Sequence, residues 1–146
     1  MLEQVVGLVR EWRPERRYRL KDRYRRDLCG FLRARLGANV KCMRRRGAPD
    51  IVVGESVGIF IVRHLTSRDQ FKRLISDVKR WWASGGWCAV VVLVGNVREE
   101  YYRELVEMER DNYFSEWVPL DLSIRRFRIV SATKDRSRGG RGFWGF

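Results

Sequence analysis

Apolar and polar residues follow two periods along this chain, and the switches between them outline the elements. Leu2, Val5, Val6, Val9 and Trp12 fall at helical spacing, which predicts a short amphipathic helix over the first dozen residues, stopping before Pro14. Tyr24, Leu28, Phe31, Leu32 and Leu36 form one apolar stripe, so a longer helix is expected over about 15–36, ended by Gly37. Residues 39–43 read as a first strand. Two β-branched runs, 51–53 and 57–62, flank Gly54-Glu55-Ser56, the pattern of a hairpin. The second run is apolar without alternation, as in a central strand covered on both faces.

Further along, Ser67 and Gln70 match a capping box, followed by Phe71, Leu74, Ile75, Val78, Trp81 and Trp82 at helical spacing. After Gly85-Gly86, residues 87–94 form another continuous apolar strand. A strand, a helix and a strand in succession predict a parallel crossover. Asn96 to Glu99 reads as a second capping box, opening a helix with Tyr101, Leu105 and Met108 on one face. Residues 117–122 and 124–130 suggest one or two edge strands. The chain therefore divides into a single α/β domain over 1–133 and an Arg/Gly/aromatic tail over 134–146, a composition that does not fold alone and suits either stacking on single strands or docking of its hydrophobic end on its own domain or a partner.

Charge changes the picture most. The formal net charge is +13 over 146 residues, and lysine occupies only positions 21, 41, 72, 79 and 134, so arginine supplies nearly all of it. A surplus of this size usually faces phosphate, and the guanidinium fork suits phosphate better than an ammonium does. Arg23, Arg25 and Arg26 on the long helix, Arg44-Arg45-Arg46 just before the hairpin and Arg63 after it are the candidate contacts. Cys29, Cys42 and Cys88 are widely spaced, without a C-x-x-C pair, which argues against structural zinc; Cys29 and Cys88 are expected as buried thiols. No leader pattern is evident and no apolar run approaches the roughly 20 residues that span a bilayer, so an intracellular protein without a membrane partner is expected.

Candidate chemistry centres on Pro49-Asp50. A turn centred between Glu55 and Ser56 would place Asp50 opposite Ile61, with Arg63 on the same face. This layout resembles the PD-(D/E)XK nuclease superfamily, which includes restriction enzymes and archaeal Holliday-junction resolvases. The resemblance covers roughly 24–95. It implies a restriction-endonuclease-like core of helix, three-stranded antiparallel meander, helix and parallel strand, here with an extra N-terminal helix and C-terminal edge strands. It also implies that Asp50 is the first metal-binding acid, with Ile61 where the family has its second acid and Arg63 where it has its lysine.

Isoleucine supplies no ligand to Mg²⁺, and arginine does not release a proton as a lysine can. The resulting expectation is nucleic-acid binding, DNA favoured over RNA, with catalysis weakened or lost. One alternative is a Mg²⁺-dependent endonuclease in which Asp27 or Asp69 relocates the missing carboxylate; the plainer roles of those residues are an ion pair with Arg23 and a favourable charge at a helix start. Another is a viral or chromatin-associated protein that coats nucleic acid. Resolvases of this superfamily commonly pair, which makes a homodimer one assembly to test.

Overall fold

In the computed structural model of the chain, the described residues are 2–111 and 126–131. The strand expected at 117–122 and the tail at 134–146 lie outside them. The two apolar runs that lack alternation, β3 (Val57–Leu65) and β4 (Cys88–Val97), lie side by side in parallel at the centre of the sheet. On one flank, β2 (Ile51–Val53) and β1 (Val40–Cys42) continue the sheet by antiparallel steps; on the other, β5 (Arg126–Ser131) runs parallel to β4. The strand order is β1-β2-β3-β4-β5.

Alternate residues of the central strands serve opposite faces, as the strand period requires. Ile59, Ile61, Val90 and Val92 pack with α1 (Leu2–Glu11) and α2 (Lys21–Leu36) through Val5, Val6, Leu28 and Leu32. Phe60, Val62, Val91 and Leu93 pack on the other face with α3 (Arg68–Ala83) and α4 (Glu99–Asp111) through Phe71, Leu74, Val78, Tyr101 and Leu105. The result is a mixed α/β fold, an open five-stranded sheet between two helical layers, with four α-helices among the described residues.

Four local expectations need correction. The long helix begins at Lys21, because Leu20 is extended (φ −108°, ψ 135°) and residues 13–20 supply no apolar stripe to bury. Side chains of α2 hold this segment instead: the Glu15 N–H donates to Asp27 Oδ2 at 3.1 Å and the Tyr18 N–H to the Tyr24 hydroxyl at 3.0 Å. The hairpin closes on Val53 and Val57, so its turn is centred on Glu55 rather than between Glu55 and Ser56. Gly54 and Glu55, in the three-residue loop, both have positive φ (59° and 68°), the left-handed backbone that favours glycine. Asp50 is consequently not the ladder partner of Ile61. At the second expected capping box, Asn96 and Val97 instead prolong β4, and α4 starts at Glu99.

The fourth correction concerns sulfur. Cys29 on α2 and Cys42 at the end of β1 form a disulfide, with Cα atoms 6.1 Å apart, while Cys88 lies buried in β4 outside the bridge. Spacing alone did not suggest the pair, because helix and strand meet only in the fold. Such bridges belong to oxidising compartments or to the disulfide-tolerant interiors of hyperthermophiles.

The bridge spans 13 residues of sequence. Closing a loop of about 15 residues stabilises a domain by roughly 3 kcal/mol in the chain-entropy description. Reduction, or Cys42→Ser, is expected to lower the unfolding free energy by about that amount in urea titrations, and alkylation of the unreduced, unfolded chain should label one cysteine of three. An unchanged denaturation midpoint on reduction would contradict the bridge.

Candidate nucleic-acid interface

β3 is nine residues long and β2 only three. β2 pairs with Val57–Ile59 and then stops, leaving the rest of β3 without a strand on that side. Asp50 fills the first position of this open edge. Its backbone N–H donates to the Ile59 carbonyl at 2.8 Å, and its side-chain Oδ2 accepts the Ile61 N–H at 2.8 Å, where a longer strand would have put a carbonyl.

The other carboxylate oxygen turns to α2, lying 3.1 Å from Lys21 Nζ and 3.4 Å from Arg25 Nε. The second contact is an ion pair without hydrogen-bond geometry, since the buried Arg25 Nε has no hydrogen-bond partner. Asp50 is 5% exposed, the one buried charged residue among those described. Burial pushes its carboxyl above the ordinary 3.8, while Lys21, the Ile61 amide and Arg25 pull the other way without cancelling it. Lys21 is half-exposed, so water screens part of its attraction.

Around this anchor opens a cleft of about 640 Å³. One wall comes from the approach to α2 and its first turns, with Arg19, Lys21 and Arg25; another from the β1–β2 connection, with Arg44, Arg45 and Arg46; the floor and far wall carry Arg63 of β3 and Arg73 of α3. Among the described residues, eight cationic side chains thus share the lining with two carboxylates, Asp50 and Asp77. His64 also lines the cleft, and burial followed by the neighbouring Arg63 charge lowers its imidazole below the usual 6.5, leaving it neutral at pH 7.

The cleft walls are tied down. The Met43 N–H donates to the Asp50 carbonyl at 2.8 Å, closing the arginine loop at its base, and the adjacent Cys42 is bonded to α2. At the loop's tip Gly47 sits against the Arg80 guanidinium and Asp77 of α3. Arg63 Nε donates to the Tyr18 carbonyl at 3.2 Å, which fixes its guanidinium against the segment before α2. Beside it the sheet carries a bulge: Val62 pairs with Leu93 and His64 with Asn96, so Val94 and Gly95 together oppose Arg63. A Cβ on Gly95 would collide with the Arg63 carbonyl, hence the glycine.

Of the candidate residues read from the sequence, Asp50, Arg25, Arg44, Arg45, Arg46 and Arg63 meet in this cleft, and Ile61 lines it as well. Arg23, Arg26 and Asp27 line a separate hollow on the other side of α2. Asp27 there binds Trp12 Nε1 at 3.0 Å, the Glu15 N–H and the Tyr18 hydroxyl at 2.8 Å, a structural role that also replaces the ion pair expected with Arg23. Asp69 is exposed in the first turn of α3, whose capping box is formed by Ser67 and Gln70. Arg19 and Lys21 stood in the sequence among the basic residues expected on the long helix, and Arg73 on the outer side of the third, without being chosen as candidate contacts.

The three carboxylates proposed for a metal are therefore not gathered. Among the described residues no group of three His, Cys, Asp or Glu side chains could hold a metal ion. Mg²⁺ needs several hard oxygen donors, whereas both oxygens of Asp50 are committed to an amide and two cations. The residues present do not fit the ion. No protein-family model, no curated protein and no solved structure matches the chain. Among the described residues no helix is long and apolar enough to cross a membrane.

The raised Asp50 carboxyl has a definite sign. The folded state holds this proton more tightly than the unfolded chain, so the stabilisation it brings is complete below the unfolded value and is lost as pH rises through the folded one. Relative to Asp50→Asn, which does not titrate, the native protein should lose stability as pH is raised from below 3.8 towards neutrality, measured by urea unfolding at a series of pH values. The opposite slope would mean that Lys21 and Arg25 outweigh burial.

Proposed function

We propose that this protein binds nucleic acid, DNA in preference to RNA, by gripping phosphates in the arginine-walled cleft, and that it does so on a PD-(D/E)XK nuclease-like sheet whose catalytic position has become a structural anchor. The excess of eight cations over two carboxylates among the described residues of one cleft carries the reading. Phosphate neutralisation by such side chains releases counterions and supplies most non-specific affinity. The order α2, antiparallel β1-β2-β3, α3, parallel β4 is in keeping with the nuclease-like core, and the hold of Lys21 and Arg25 on Asp50 supports binding without hydrolysis. Membership of the fold family rests on this order and on Pro49-Asp50 alone.

The test is a salt titration of affinity for duplex DNA by fluorescence anisotropy. Simultaneous Arg44→Ala, Arg45→Ala and Arg46→Ala substitutions should weaken binding and flatten the plot of log K against log salt by about 0.9 for each phosphate contact removed. Arg103→Ala, on α4 beside Glu99, should change neither. An unaltered slope in the triple variant would move the binding face elsewhere. Incubation with Mg²⁺ or Mn²⁺ should leave supercoiled and branched DNA intact; cutting that disappears in Asp50→Ala would establish the endonuclease alternative instead.

A further inference from the structure

Cys42 closes β1 and opens the connection that carries Arg44, Arg45 and Arg46, and both ends of that connection are strapped to the same helix. At its start, Cys42 is bonded to Cys29 of α2. At its end, Asp50 lies 3.1 Å from Lys21 Nζ and 3.4 Å from Arg25 Nε, on the first turns of α2. The Met43 N–H, donating to the Asp50 carbonyl at 2.8 Å, ties the two ends to each other. In this ring of contacts the bridge is the covalent member, and it stands where the ladder of β1 gives way to the arginine loop.

Its two cysteines are placed unequally. Cys29 is 2% exposed in the core, whereas Cys42 is exposed on the first strand in the order of the sheet. Exposed bridges belong to the labile, regulatory class and resistant ones to the structural class. Lys41 precedes Cys42, and Arg44, Arg45 and Arg46 follow just after it, all exposed, a field that draws anionic thiols to the bridge. The exchange is balanced. A thiolate attacks Cys42 Sγ, the bond to Cys29 breaks, and Cys29 leaves as a thiolate that takes up a proton; a second thiol then displaces Cys42 from the mixed disulfide. Two small thiols are oxidised to one disulfide, and the bridge is reduced to two protein thiols.

We infer that Cys29–Cys42 is a redox switch on the arginine loop: oxidised, it holds Arg44, Arg45 and Arg46 in the cleft wall; reduced by a low-molecular-weight thiol, it frees the start of the loop and loosens the grip on nucleic acid. The effect on affinity rests on the nucleic-acid reading above. Side chains that must be ordered at the moment of binding cost affinity that a tethered loop keeps. Asp50 still holds the far end of the loop to α2, so the reduced cleft loosens without being dismantled. Binding and bridge formation are linked, so nucleic acid protects the bridge by the same factor by which the bridge raises affinity.

The experiment compares the full chain oxidised, reduced with glutathione, and as Cys42→Ser, each checked for folding by circular dichroism. Trypsin cleavage mapped by mass should be about tenfold faster after Arg44, Arg45 or Arg46 in the reduced and Cys42→Ser chains, with cleavage on α4 unchanged. Anisotropy at fixed salt should show duplex DNA binding about tenfold more weakly to both, with oxidised glutathione restoring the reduced native chain but not Cys42→Ser. Saturating DNA should shift the glutathione equilibrium towards the bridge by a similar factor of about ten. A bridge that glutathione does not open, a chain that unfolds on reduction, or cleavage that rises equally on α4 overturns the switch and makes the bridge a staple. Faster loop cleavage with unaltered affinity overturns the coupling to binding and leaves the cleft reading standing. Failure of both redox forms to bind DNA overturns the nucleic-acid reading, and loop cleavage then decides the switch alone.

Discussion

A single carboxylate, Asp50, holds the geometry of this molecule together where its sheet is incomplete. β2 ends too early to cover β3, and the Asp50 side chain supplies the acceptor that the missing strand would have given to the Ile61 N–H. The same group gathers Lys21 and Arg25 from α2. Sheet edge, helix start and loop base are thereby joined at one buried point. Removing one partner of such a cluster typically costs about 3–5 kcal/mol, more than the cluster adds over a well-packed apolar substitute. Asp50 therefore specifies an arrangement more than it adds stability.

Around that point the cations are crowded at a cost in mutual repulsion that the fold must resist. The disulfide fixes the base of the arginine loop to α2, Gly47 settles its tip on α3, and Tyr18 restrains Arg63. Outside the cleft, Glu99 and Glu104 of α4 pair with Arg103 and Arg68.

Much of the fold was legible because its elements announce themselves by period. The stripes of α1 and α3, the unbroken β3 and β4, and the capping box at Ser67 each follow from local rules, and their order was enough to expect a meander followed by a parallel crossover. What escaped was set by contacts distant in sequence. The start of α2 depends on Tyr18 and Glu15 meeting its side chains, the Cys29–Cys42 bridge on helix and strand packing, and the role of Asp27 on Trp12. At the site, Pro49-Asp50 drew attention to an acid that borders the cleft, while the contacts of that acid were not legible. A motif identifies an acid; only the fold reveals that two cations and an amide already occupy it.

The parallel arrangement of β3, β4 and β5 has a consequence for how the chain reaches this state. β4 is buried along Cys88–Val94, yet its second edge is covered only by β5, which follows it after α4 and the residues up to 125. During synthesis that edge, with Val90-Val91-Val92-Leu93-Val94 along it, emerges well before its partner. Such a run has high β-propensity and no charge, the composition that nucleates intermolecular strand pairing. Parallel partners must also close a long loop before they gain any contact, so β5 docks late. The interval between the emergence of β4 and the arrival of β5 is the time in which the nascent chain is most exposed to aggregation.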